Sequence, residues 1–151
     1  MPSPPEAPQT HHTPDADAPL LHPHIPRVEP RELADVLRKS SGPVIVDVRE
    51  KGTTGGFIRG AVNVPQPDFD DEEKVDALIE KLKHETADIV FHCQHSQRRG
   101  PSAAFAFLSR LEQRLQNDET KPTVKVLHGG FHAFSQEFGN DDTLIDRSPL
   151  G

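Results

Sequence analysis

Residues 91–101 read FHCQHSQRRGP, and the rest of the sequence is organised around them. The apolar run that ends at Phe91 predicts a buried strand, and the Ala-, Phe- and Leu-rich residues 102–111 predict a helix. The stretch is therefore predicted to be a strand-to-helix turn, with Cys93 at the strand end and Arg99 at the helix start. Backbone N–H groups in such a turn bind oxyanions and favour a thiolate, so we predict that Cys93 is a nucleophile.

The segments on either side of this turn alternate between strand and helix patterns. The β-branched run at 44–48 predicts a central parallel strand that is covered on both faces. Shorter apolar runs predict further strands at 25–28, 61–64, 89–91 and 124–127. Periodic apolar positions predict helices that start near residues 30, 70, 99 and 131. This alternation predicts an α/β domain with a central, mostly parallel sheet flanked by helices on both faces.

The two ends of the chain are predicted to lie outside this domain. Residues 1–24 are mainly Pro, His, Asp, Ala and Thr, and they are predicted to be a disordered tail because they carry little apolar surface. This tail contains His11, His12, His22 and His24. Their spacing matches no closed site, so no metal is predicted. The domain is predicted over residues 25–140, followed by a loose C-terminal tail over 141–151.

Charge and composition exclude several classes of function. The chain has 151 residues and a net charge of −7, which argues against nucleic acid or an anionic membrane as a partner. The sequence contains no apolar run of about 18 residues, so no membrane-spanning segment is predicted. The single cysteine excludes an intrachain disulfide. Together with the lack of a secretory signal pattern, it predicts a cytoplasmic or nuclear location.

The spacing from Cys93 to Arg99 suits a tetrahedral oxyanion. Five residues separate the two, so the chain can curl into a cup whose N–H groups point inward. Arg99 is predicted to close the cup with a bidentate guanidinium contact to the oxyanion. The Cys93 thiolate is predicted to lie at the bottom of the cup, in line to attack the phosphorus of a bound phosphoryl group. We call residues 93–99 the loop, and its predicted anion-binding residues are Gln94, His95, Ser96, Gln97, Arg98 and Arg99. Ser96 is also a candidate hydroxyl donor to the sulfur, and His92 is predicted to orient the loop through a backbone hydrogen bond.

Three further motifs resemble those of rhodanese-like domains. Residues 46–49 read VDVR, residues 56–65 read GFIRGAVNVP, and residues 126–131 read VLHGGF. The resemblance covers residues 25–140, nearly all of the predicted domain, and implies a rhodanese-like fold. It also implies that Asp47 and Arg49 brace the scaffold of the loop.

The loop itself resembles a more restricted group within this superfamily. Its His-Cys-x5-Arg pattern is similar to the phosphate-binding loop of cysteine-dependent phosphatases, whereas sulfurtransferases of the superfamily have a shorter loop. This length resembles that of the cell-cycle (M-phase inducer) dual-specificity phosphatases and the eukaryotic arsenate reductases. The chain looks like a small stand-alone member of that group, and the resemblance implies Cys93 as nucleophile and Arg99 as oxyanion binder.

The loop departs from the cell-cycle phosphatases at two positions. Those proteins carry acidic residues where this chain has Gln94 and Arg98, so the loop offers no carboxylic acid to protonate a leaving group. The nearest acid cluster in the sequence is Asp68, Asp70 and Asp71. Helix capping and a solvated surface are the competing interpretation of this cluster.

Three functions stay open on the sequence. The first is a cysteine-dependent phosphatase of the protein-tyrosine or dual-specificity type, which acts on a phosphorylated protein or a small phosphate through a phosphocysteine. The second is an arsenate reductase, because arsenate has the shape and charge of phosphate. Since Cys93 is the only cysteine, glutathione or a partner glutaredoxin is then the reductant. The third, which the presence of both Cys93 and Arg99 disfavours, is a sulfurtransferase or a non-catalytic rhodanese module. No other cofactor is predicted.

Overall fold

The elements of the fold follow from a computed structural model that describes residues 20–39, 42–82, 88–115 and 121–151. The strands are β1 (Arg27–Val28), β2 (Val44–Asp47), β3 (Phe57–Ile58), β4 (Val62–Asn63), β5 (Ile89–His92), β6 (Val124–Leu127) and β7 (Ile145–Asp146). The helices are α1 (Pro30–Leu37), α2 (Glu72–Leu82), α3 (Arg99–Arg114) and α4 (Gly130–Phe138), and a 3₁₀ turn covers Gln66–Asp70. The predicted alternation of strands and helices is confirmed.

Five strands form one sheet in the order β1-β6-β5-β2-β4, and every neighbouring pair is parallel. β5 occupies the middle position, and its last residue, His92, is the register partner of Asp47 at the end of β2. The carboxyl ends of parallel strands meet at one edge of a sheet, where α/β proteins bind ligands. The loop, Asp47 with Arg49, and the start of α4 therefore lie at the same edge of the sheet.

Helices cover both faces of this sheet, as predicted. Successive side chains of a strand point to opposite faces, and the β2 neighbours Ile45 and Val46 belong to different core clusters. The cluster of Val46 includes the buried residues of α2 and α3, and that of Ile45 includes those of α1 and α4. The central strand is thus buried on both sides, which explains its unbroken β-branched sequence.

The C-terminal residues 141–151 are packed against the domain, so the prediction of a loose tail is wrong. β7 pairs antiparallel with β3 in a small second sheet. The segment also buries three apolar side chains: Leu144, Ile145 and Leu150. Leu150 exchanges backbone hydrogen bonds with Gly52 and Thr53. These apolar residues show no period in the sequence, and their burial depends on partners from a distant part of the chain.

At the N-terminus, residues 1–19 lie outside the described part of the chain, so their disorder and the interpretation of His11 and His12 stay predictions. The predicted boundary at residue 25 is wrong, because residues 20–24 are tied to the domain. Arg27 donates hydrogen bonds to the carbonyls of Leu21 and His22, and the His22 ring stacks on Phe105 of α3 with the centroids 4.1 Å apart. Among the described helices, none has the length and apolar character to cross a membrane.

Candidate active site

The loop leaves the carboxyl end of β5 and enters α3. Cys93 directly follows β5 and is 3% exposed, and Arg99 is the first residue of α3. Gly100 permits the close approach of helix and strand, because a Cβ at this position would lie 3.2 Å from the backbone nitrogen of Cys93. The structure thus forms the strand-to-helix turn that the sequence predicts.

Two backbone N–H groups converge on the sulfur of Cys93. The N–H of Ser96 donates to Sγ at 3.2 Å, and the N–H of Gly100, in the first turn of α3, donates at 3.3 Å. Such donors stabilise a thiolate, which is the nucleophilic form of cysteine. The Ser96 hydroxyl makes a different contact from the predicted one, because its oxygen accepts a hydrogen bond from the backbone N–H of Cys93 at 3.4 Å. The structure therefore puts the backbone of Ser96, rather than its predicted hydroxyl, on the sulfur.

The start of α4 fixes the orientation of the first peptide groups of the loop. The N–H of Phe131 donates to the Cys93 carbonyl at 3.0 Å, and the N–H of His132 donates to the Gln94 carbonyl at 2.8 Å. The described backbone has no cis peptide, and in a trans peptide the N–H points opposite to the C=O. The N–H groups of Gln94 and His95 therefore point away from α4, as expected for a cup lined by N–H groups.

Gly130 provides the room for these two contacts, so we expect Gly130→Ala to destabilise the protein. Gly130 has a φ of +63°, and a Cβ would lie 2.6 Å from the carbonyl oxygens of both Cys93 and Gln94. The left-handed backbone and the forced shift should together lower the free energy of unfolding by about 2–4 kcal/mol, measured by urea denaturation. Gly52→Ala is the matched control, because Gly52 has a φ of +82° and no neighbour within 4 Å. An equal loss of unfolding free energy in both variants would show that the close carbonyl oxygens at Gly130 add nothing to the effect of the left-handed backbone.

A buried ion pair braces the loop from the end of β2. Nη2 of Arg49 lies 2.7 Å from Oδ2 of Asp47, and the two side chains are 3% and 0% exposed. Arg49 also donates to Oε1 of Gln94 and to the carbonyl of Gly56, both at 3.1 Å. Its guanidinium lies 4.5 Å from the centroid of the Phe131 ring. The pair thus connects β2, the loop and the start of α4, the supporting position that the resemblance implies.

His92 is fully buried between this brace and the loop. Its Nδ1 lies 3.0 Å from the Cys93 carbonyl oxygen, which confirms the predicted backbone contact, and its Nε2 lies 3.6 Å from Oδ2 of Asp47. Burial lowers the pKa of His92, and the Asp47 carboxylate offsets this only in part. Burial alone would raise the pKa of Asp47, but His92 and the charge and hydrogen bonds of Arg49 lower it overall. At neutral pH the imidazole is therefore neutral and the carboxylate ionised.

The lowered pKa of His92 gives an expected pH dependence of stability. The unfolded chain takes up this proton near its ordinary pKa of about 6.5, whereas the folded state takes it up only at lower pH. Stability should therefore be full above about pH 6.5 and should fall below it, by at most about 1.4 kcal/mol per pH unit for one proton. Urea denaturation across this range measures the slope. His92→Asn should reduce the slope, and an unchanged slope in this variant would refute the assignment.

The remaining predicted residues differ in exposure. His95 and Gln97 are partly buried, whereas Arg98 and Arg99 are exposed. Within the described part of the chain, neither arginine side chain has a hydrogen bond or ion pair, which leaves both guanidinium groups available to an anion.

The acid cluster serves helix α2 and the surface. Oδ1 of Asp71 accepts the N–H of Glu73 at 3.0 Å and thereby caps the helix. Asp68 lies 3.4 Å from Nζ of Lys74. These contacts favour the capping interpretation over a role in the loop, and the cap is Asp71.

Sequence reasoning missed three residues that the structure brings to the site. Asn63 donates to the carbonyls of Asp47 and Arg49, both at 2.9 Å, and Phe131 lies under Arg49. Both missed residues lie within the rhodanese-like motifs, so the resemblance could have found them. The third is His132, whose ring centroid lies 4.9 Å from that of His95. No sequence signal marked His132, because the contact joins two separate elements.

Comparisons with known proteins find similar phosphatases and a similar reductase. The dual specificity phosphatase ibp1 of Schizosaccharomyces pombe is 32% identical over 135 residues, which cover 79% of this chain and 94% of that protein. A yeast protein tyrosine phosphatase of the rhodanese family has a similar structure, with a TM-score of 0.69, 26% identity, and coverage of 82% of this chain and 94% of that one. The As-Sb reductase of Leishmania major follows with a TM-score of 0.61, 27% identity, and coverage of 77% and 81%.

These relatives are phosphatases and a reductase, which supports a phosphatase-like enzyme. The family model for the Rhodanese-like domain matches residues 29–137, a range that contains β2, the loop and all of α4 but its last residue. With that match and the five-stranded parallel sheet, the chain belongs to the rhodanese-like domain family, among the homologues of the M-phase inducer type of phosphatase.

Proposed function

We propose that the protein is a cysteine-dependent phosphatase of the protein-tyrosine or dual-specificity type, with Cys93 as its nucleophile. The observation that carries this proposal is the convergence of the Ser96 and Gly100 N–H groups on the Cys93 sulfur. A thiolate held in this way is ready for attack, and five loop residues separate it from Arg99. The phosphatase relatives add support from outside the chain.

In the proposed mechanism, the substrate phosphoryl group binds in the loop. N–H groups of the loop and the Arg99 guanidinium hold its oxygens, while the thiolate of Cys93 attacks phosphorus. The bond to the leaving oxygen breaks, and a phosphocysteine forms. Water then attacks phosphorus, which releases inorganic phosphate and regenerates the thiolate. Arg49 keeps Gln94 in place throughout, so the substrate meets a loop of fixed shape.

The proposed substrate is a phosphorylated protein or a small phosphate ester. An exposed Arg98 and Arg99 at the start of α3 offer positive charge to an incoming dianion on a chain whose net charge is −7. We propose neither nucleic acid nor a membrane as a partner, because the positive charge of these two arginines is local and the chain as a whole is acidic. A cytoplasmic or nuclear location remains the prediction from the sequence.

Arsenate reduction is a second candidate, which the similarity to the As-Sb reductase of Leishmania major favours. Arsenate would occupy the same loop and form a Cys93–arsenic adduct. The two electrons that reduce As(V) to As(III) would come from two thiols, which are oxidised to a disulfide. Because Cys93 is the only cysteine of the chain, we propose glutathione or glutaredoxin as their source.

One preparation of the full chain tests these activities side by side. The first assay follows hydrolysis of p-nitrophenyl phosphate and of a phosphotyrosine peptide. The second follows arsenate-dependent oxidation of NADPH, coupled through glutathione, glutaredoxin and glutathione reductase. The third follows sulfur transfer from thiosulfate to cyanide. We expect turnover in the first assay; absence of phosphate release, with sulfur transfer as the main activity, would refute the proposal.

A further inference from the structure

The phosphatase reaction needs a proton donor that the loop does not supply as a carboxylic acid. The side chains between Cys93 and Arg99 are two glutamines, a histidine, a serine and an arginine. His92 is also unsuitable, because it is fully buried and its Nδ1 contacts the Cys93 carbonyl. The nearby aspartates cap α2 or lie on the surface. The proton must therefore come from another group at the edge of the loop.

A pair of imidazoles lies at that edge. His95 belongs to the loop, His132 belongs to the first turn of α4, and their ring centroids are 4.9 Å apart with the planes tilted by 56°. The backbone N–H of His132 donates to the Gln94 carbonyl at 2.8 Å, which fixes the start of α4 against the loop. Imidazole is the side chain that exchanges protons near neutral pH. The pair therefore places groups that can exchange a proton near neutral pH at the edge of the loop.

Within the pair, His132 is better suited to reach a substrate. It is partly exposed and lies outside the loop, so its side chain can move a proton without disturbing the cup. His95 has its Nδ1 excluded from solvent and is itself part of the cup. Its ring packs against His132 and restricts the orientation of that imidazole.

The geometry points to His132 as the general acid of the reaction, positioned by His95 and delivering a proton to the leaving oxygen. This inference rests on the proposed phosphatase function. The Cys93 thiolate forms the S–P bond, the P–O bond breaks, and its electron pair stays on the leaving oxygen, which takes a proton from the His132 imidazolium. Water then attacks the phosphocysteine, the S–P bond breaks, and thiolate and dihydrogen phosphate result, while the neutral imidazole regains its proton from solvent.

The surroundings of α4 contain no competing donor among the described residues. The charged groups on the elements that pack against it are Glu29, Arg31, Glu32, Asp35 and Arg38 from α1 and its cap, Asp47 and Arg49 from β2, His95, Arg98 and Arg99 from the loop, and Lys125 from β6. The carboxylate of Asp47 is held by Arg49 and fully buried. Glu29 is paired with His128 at 3.0 Å, and Glu137 on α4 is paired with Arg31 at 3.3 Å.

The test compares substrates whose leaving groups differ in their need for a proton. p-Nitrophenolate leaves without one, whereas phenolate is a poor leaving group. We expect His132→Asn to lower kcat for phenyl phosphate by about 100-fold and kcat for p-nitrophenyl phosphate by less than about 3-fold, with KM unchanged. We also expect kcat for phenyl phosphate to fall at alkaline pH in the wild type, and this fall to disappear in the variant.

The control variant is His128→Asn, which removes an exposed imidazole four positions earlier and should leave both rates unchanged. The rate with p-nitrophenyl phosphate also reports whether His132→Asn folds. Equal losses on both substrates, or no loss on either, would overturn the role of His132 and leave the phosphatase function standing. A wild-type protein that hydrolyses neither ester would instead refute the phosphatase function, and this inference with it.

Discussion

Cys93→Ser is expected to abolish hydrolysis of p-nitrophenyl phosphate, with kcat lower by about 10⁴-fold or more. The serine hydroxyl is not ionised at neutral pH, so the N–H groups of Ser96 and Gly100 would meet a weak nucleophile instead of a thiolate. Steady-state kinetics on the two proteins under the same conditions measures the loss.

The control for this substitution is anion binding rather than a second activity. The serine oxygen accepts the same two N–H groups and is smaller than sulfur, so the loop should keep its shape. Calorimetric titration with inorganic phosphate should therefore show binding in both proteins, and their thermal unfolding midpoints should be similar. A serine variant that keeps most of the wild-type kcat would rule out Cys93 as the nucleophile.

Asp47→Asn is expected to destabilise the fold strongly, by about 3–5 kcal/mol in the free energy of unfolding. Asparagine has the shape of aspartate but no charge, so the variant leaves the buried guanidinium of Arg49 without its counterion. The remaining acceptors of Arg49, at Gln94 and Gly56, are neutral and cannot replace a carboxylate. Urea denaturation at neutral pH measures the change.

Asp142→Asn is the matched control for this prediction. Asp142 also pairs with an arginine, at 2.6 Å from Arg147, but the two side chains are 77% and 56% exposed. Exposed ion pairs contribute little, so this variant should change the free energy of unfolding by less than about 1 kcal/mol. Similar small effects of the two substitutions would show that the Asp47 carboxylate is not needed to compensate the buried charge of Arg49.

The main layers of the fold could be predicted from the sequence, because local patterns specify them. The β-branched run at 44–48 and the apolar stripe of α2 each reflect burial against the nearest layer. The pairing of β3 with β7 could not be predicted in this way. Each of these strands has only two residues, and what stabilises them is their mutual contact across a long sequence separation.

The candidate site also combines features that local sequence patterns predict with contacts between distant segments that they do not predict. Cys93, Arg99 and the intervening loop lie in one continuous stretch, so their spacing is visible in the sequence. The orienting contact of His92 could also be predicted, because it reaches only the next residue. The contact of Arg49 with Gln94 and that of His132 with His95 join separate elements. Such contacts depend on the order of the strands in the sheet, which periodicity does not reveal.

The hydrogen bonds from the start of α4 to the carbonyls of Cys93 and Gln94 have a consequence for selectivity. They align the peptide dipoles of the loop during folding, so binding an anion requires no reorientation of the backbone. We expect such a preorganised cup to recognise tetrahedral geometry and negative charge, whether or not the bound ion can react. We therefore expect inorganic oxyanions, including the phosphate product, to compete with the substrate. Sensitivity to these ions would then be a property of the folded backbone, independent of the side chains that carry out the chemistry.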